Sequence, residues 1–83
     1  MTRTIFYKGK QYNGIFVSKF SDFNNIYIDR QARLAILMER QEVRAIVKLE
    51  TYQLDILLDD EDDKFIDELE SLENKFEKEM YNN

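Results

Sequence analysis

Seventeen of the 83 residues are Asp or Glu, and there is neither His nor Cys, so side-chain chemistry here falls to carboxylates. Without imidazole or thiol, the familiar nucleophile-and-base arrangements cannot be assembled. Paired carboxylates could hydrolyse a glycosidic bond, but one of them must be buried in a sizeable cleft. A chain of this length hardly supplies such a cleft, so no catalytic residues are expected and the protein is read as non-enzymatic. The two glycines sit in turn contexts, with no phosphate-cradling pattern. Asp59, Glu61 and Asp63 alternate like the start of a calcium loop, and Glu70 falls on its twelfth position. The sixth position, which needs Gly, holds Lys64. A helix start accounts for the acidic run better, because carboxylates there meet free N–H groups and the positive end of the dipole. No metal and no other cofactor is expected.

The carboxylates are gathered rather than spread. Residues 1–54 carry nine Lys/Arg and five Asp/Glu, a net of +4, whereas residues 55–83 carry three Lys and twelve Asp/Glu, a net of −9. On a helical wheel, Asp63, Asp67, Glu70, Glu73 and Glu77 share one flank and Lys64, Lys75 and Lys78 the other. Like charges a turn apart cost a helix a few tenths of a kcal/mol per pair, about 0.2–0.5. A purely structural surface would intersperse the signs. Read as one helix, residues 59–79 hold eleven acids and three lysines over about 30 Å, roughly one negative charge per 4 Å. One DNA strand carries one per about 3.4 Å. The expected partner-binding surface is therefore Asp59, Asp60, Glu61, Asp62, Asp63, Asp67, Glu70, Glu73 and Glu77. Its expected partner is a DNA-handling protein whose basic channel normally holds DNA. The alternative is that Arg33, Arg40 or Arg44, of the same chain or a dimer mate, neutralises it.

The elements that must carry this surface follow from periodicity. Thr4–Tyr12 reads as a hairpin turning at Lys8-Gly9, with Asn13-Gly14 as a competing turn or bulge. Ile15–Phe20 is a strand, Ser21–Asn25 a polar loop, and Ile26–Ile28 a short strand. Asp29 could cap a helix over Arg30–Glu42, a stretch dense in strong helix formers; the alternation of Leu34, Ile36 and Met38 offers a strand instead. Two-residue alternation predicts strand from Val43 to Glu50 and again from Thr51 to Leu58, with a turn or bulge between. The acidic run from Asp59 should open a helix reaching about Tyr81, with Phe65, Leu69, Leu72, Phe76 and Met80 on one stripe and Ile66 at its edge. The fold class is α+β: a small antiparallel sheet, a middle helix and a long C-terminal amphipathic helix, in one domain over residues 1–83.

A domain this small buries only about 60–65% of the surface its unfolded chain exposes. Disulfides and thiolate sites are ruled out, so self-association as a homodimer is the expected reinforcement. No apolar run approaches the roughly 18 residues of a membrane span, and the first residues lack the apolar stretch of a signal peptide. No membrane partner is expected, and a cytoplasmic location is. The abundance of Ile, Asn, Lys, Asp, Glu, Tyr and Phe, with no Pro or Trp, suits an AT-rich genome such as that of a low-GC bacterium or its phage.

Gln53-Leu54-Asp55-Ile56-Leu57 resembles the Gln-Leu-Ser/Asp-Leu-Phe peptide by which bacterial replication and repair proteins dock on the DNA polymerase sliding clamp. In that peptide Leu and an aromatic fill a greasy pocket while Gln satisfies polar groups at its rim. Ile56 is a mild change and Leu57 stands where the family has Phe. With the acidic helix and the composition, the chain resembles small phage-encoded inhibitors of the host sliding clamp. That resemblance implies a dimeric acidic protein acting in the host cytoplasm and competing with DNA inside the clamp ring. Two other readings stand beside it. One is an assembly module dimerising through Leu69, Leu72 and Phe76, its acids merely solvating it. The other is a nucleic-acid-binding regulator using Arg30, Arg33, Arg40 and Arg44, which the acidic pI of about 4.7 disfavours.

Overall fold

Lys8 and Gly9 both adopt positive φ (49° and 78°), the conformation a two-residue hairpin loop needs to match strand twist. They join β1 (Thr2–Tyr7) to β2 (Lys10–Lys19). The computed structural model describes residues 2–59 and 61–81. After β2 come β3 (Asn24–Asp29), β4 (Leu34–Glu39) and β5 (Glu42–Lys48). The five strands form an antiparallel sheet in chain order, followed by α1 (Thr51–Leu58) and α2 (Phe65–Tyr81). The α+β expectation is met.

The middle helix expected over Arg30–Glu42 is instead a turn, the whole of β4, a second turn and the first residue of β5. Leu34 to Met38 is an unbroken apolar run, and Ala35, Ile36, Leu37 and Met38 are all buried. A strand covered on both faces needs no polar alternation, and its run of apolar residues matches a buried helix equally well. Asp29 does what a helix cap does, but for a turn: its Oδ1 accepts the N–H groups of Gln31 and Ala32, at 2.9 and 3.0 Å. Its Oδ2 accepts the N–H of Asn13 at 3.1 Å. Asn13-Gly14 is neither turn nor bulge; it lies within β2, paired with Thr4 and Arg3. The register irregularity in β2 falls between Phe16 and Ser18.

Thr51–Leu58, expected as strand, is α1. The Gln53 side chain accepts the Glu50 N–H at 2.8 Å, which fixes the first turn from the N3 position. The predicted helix start at Asp59 is also displaced. Helix α2 begins at Phe65, and ahead of it the N–H groups of Asp62 and Phe65 donate to the carbonyls of Asp59 and Asp62 in turn. Asp59 Oδ1 accepts the Glu61 N–H and Asp62 Oδ1 accepts the Lys64 N–H. These carboxylates thus satisfy backbone donors ahead of the helix rather than its own first turn.

The two sheet faces carry separate apolar clusters. On one, Ile26, Ile28, Ala35 and Leu37 pack with Leu49, with Leu54 and Leu57 of α1, and with Leu72 and Phe76 of α2. On the other, Ile5, Tyr27, Ile36 and Met38 are buried with no helix over them. The sheet curls to cover that second cluster. Arg3 of β1 donates to the carbonyl of Arg40 at 2.7 Å and to Gln41 Oε1 at 3.1 Å, joining the first strand to the last hairpin turn. No helix among the described residues is long and apolar enough to cross a membrane.

Candidate acidic interface

The α2 stripe docks as its spacing requires: Leu72 and Phe76 are buried, and Phe65, Leu69 and Met80 pack partly buried around the same cluster. Ile66, at the edge of the stripe, is exposed. Docking this stripe sets the acidic flank outward. Asp63, Asp67, Glu70 and Glu77 are exposed and Glu73 is half-buried. Glu70, Glu73 and Glu77 line a shallow cleft together with Asn74 and Phe20, whose ring meets Phe76 edge-on at 6.4 Å. Partial burial pushes the Glu73 carboxyl above its ordinary range, and the neighbouring Glu70 and Glu77 charges push it the same way. Asp63 and Asp67 lie outside that cleft, and Asp60 lies outside the described residues.

No cation of the chain answers these acids among the described residues, where the one ion pair is Arg44 with Glu39, at 3.6 Å. Two other arginines are engaged at the sheet. Arg3 lies over the Tyr27 ring at 5.6 Å and Arg40 over Phe23 at 5.4 Å. Glu68 belongs to the scaffold, accepting from Gln53 Nε2 at 2.9 Å. No group of three acids among the described residues is arranged to hold a metal ion.

The charge layout differs from the one read along the chain. Helix α2 itself holds six acids and two lysines, a net of −4 over about 25 Å. That is about one charge per 6 Å, sparser than a DNA strand at one per about 3.4 Å. The remaining acids precede the helix in sequence, and of these Asp59, Glu61, Asp62 and Asp63 are described.

Gln53-Leu54-Asp55-Ile56-Leu57 lies in α1, with Gln53, Leu54 and Leu57 only 4%, 5% and 2% exposed. The side chains that would enter a clamp pocket form part of the core, so the pentapeptide could dock only if α1 left its place. Of Leu69, Leu72 and Phe76, the latter two are buried in the same core and Leu69 packs partly buried against it. Phe20 is the cleft residue that sequence reasoning missed; nothing local brings the residue just after β2 against Phe76, 56 positions later in the chain.

No protein-family model matches this chain, and comparison with curated proteins and with solved structures gives no match.

Proposed function

We propose that the protein is a non-catalytic inhibitor that sets the acidic flank of α2 against a basic surface of a DNA-handling host protein. The supporting observation is the row Asp67, Glu70, Glu73 and Glu77, which has no cationic partner among the described residues. Four carboxylates held together without counter-charge weaken their own helix, and a cationic partner would reverse the sign of that interaction. Association would be fast at low salt and would weaken as salt screens it. A bacterial polymerase sliding clamp, whose channel normally holds DNA, is the first candidate. In this reading the acidic flank carries the binding and the pentapeptide takes no part.

The test is competition for a purified clamp ring between this protein and fluorescent primed DNA. The unaltered chain should displace DNA at low salt. The triple variant Asp67→Lys, Glu70→Lys, Glu77→Lys, altered only at exposed positions, should fold and fail to displace it. Equal displacement by the variant rejects the acidic flank, and no displacement by either rejects the clamp.

A further inference from the structure

Strand β1 is an open edge of the sheet, and the geometry points to a second copy of this chain as its occupant, pairing β1 with β1 about a two-fold axis through Thr4. This inference is independent of the proposed acidic interface. The two-residue loop makes Tyr7 and Lys10 a hydrogen-bonded pair, and alternation gives Ile5–Tyr12 and Arg3–Gly14 the same status. The N–H and C=O groups of Thr2, Thr4 and Phe6 therefore point away from β2. No hydrogen bond from another part of the described chain reaches them. Exposed edge groups of this kind bond to water in the free chain and present a ready template for another extended strand.

The two edges of the sheet are not equivalent. Strand β5 carries Glu42, Arg44 and Lys48 in seven residues and has α2 packed against it. Charges and a covering helix are the usual protection of an edge. Strand β1 reads Thr-Arg-Thr-Ile-Phe-Tyr, and its single charge is drawn over the sheet to the Arg40 carbonyl. Phe6 stands 73% exposed on it.

The strand is also self-complementary. Antiparallel pairing centred on Thr4 sets Thr4 opposite Thr4 and Thr2 opposite Phe6, so every outward-facing residue meets an outward-facing residue. Each exposed Phe6 ring then lies against the partner's Thr2, and Arg3 stands opposite Ile5 on the other face. The product is a closed pair with a continuous ten-stranded sheet. Joining β1 to β5 instead would leave an edge free at each end and propagate into a filament.

Sedimentation equilibrium of the full chain, with two variants, tests this. Thr4→Pro removes an outward N–H, which an edge strand tolerates, and Phe6→Lys places a charge on the edge. The unaltered chain should sediment at twice 10.1 kDa, and both variants at 10.1 kDa with an intact circular-dichroism spectrum. Should Thr4→Pro fail to fold, Phe6→Lys alone decides. Amide exchange adds a residue-level reading: the Thr4 and Phe6 amides should slow as concentration rises, while the Ile5 amide stays protected throughout. A monomeric unaltered chain, a pair that survives Phe6→Lys, or a concentration-dependent polymer overturns the inference.

Discussion

Gly14 is in the left-handed region neither in fact nor by need; it is in β2 because there is no room for anything larger. A Cβ added there would lie 2.8 Å from Ile5 Cδ1 and 2.9 Å from Tyr27 Cβ. Carbon atoms prefer about 3.5–4.0 Å. The Ile5 methyl could swing aside, although Ile5 is itself buried among Tyr27, Ile36 and Met38. The Tyr27 Cβ cannot, because it sits one bond from the backbone of β3, which is paired to Phe16 on one side and Ile36 on the other. Gly14→Ala therefore forces strands apart. Overpacking of this kind costs about 1–3 kcal/mol, offset by about 0.4–1 kcal/mol from restricting the unfolded chain. The expected net loss is about 1–2 kcal/mol, which lowers the thermal midpoint by about 5–15 °C in a domain of this size. Urea denaturation followed by circular dichroism measures it. Ile5→Val deletes the Cδ1, so the cost of Gly14→Ala should shrink in that background without vanishing, since the Tyr27 contact remains. A Gly14→Ala chain as stable as the unaltered one refutes the account of how β1, β2 and β3 pack.

Three further outcomes follow from the same geometry. Gln53→Ala strips a buried side chain of its bonds to the Glu50 N–H and the Glu68 carboxylate, and should cost about 1–3 kcal/mol in urea denaturation; no change would mean that α1 is not held to α2 this way. Arg33→Gly should stabilise by up to about 1 kcal/mol, because Arg33 holds φ at 55° and the left-handed region penalises a Cβ. A lower denaturation midpoint for that variant would contradict the backbone assignment. Glu73 titrates above its unfolded value, so the folded state holds its proton more tightly, and stability falls as pH rises from the unfolded value of 4.5 through the raised folded one. Glu73→Gln should accordingly raise the thermal midpoint at pH 7 and leave it unchanged below pH 4.5; an equal difference at both pH values would show that the carboxylate charge is not the cause.

The sequence was most legible where local chemistry leaves one choice. Lys8-Gly9 has a Gly at its second position, and the hairpin is where that predicts. Leu72 and Phe76 fall on the only stripe α2 could bury. It was least legible at turns without a marker. Arg33 and Arg40 both adopt positive φ with no Gly or Asn to announce it, so two hairpin turns were hidden inside a helix-forming stretch. Thr51–Leu58 satisfies both periods: Tyr52, Leu54, Ile56 and Leu58 alternate, while Leu54, Leu57 and Leu58 also fit a helical face. Tertiary packing on Leu72 and Phe76 favours the helix, and no local window contains that contact. The acidic flank was visible because charge is read directly from residue type, whereas the cleft with Phe20 required the sheet to fold first.

The most direct measurement is a map of backbone amide shifts as a purified sliding clamp is titrated into the isotopically labelled protein. Engagement through the acidic flank moves Asp67, Glu70, Glu73 and Glu77 together with Phe20, and added salt reverses the change. Shifts confined to the sheet, or none at any clamp concentration, contradict it.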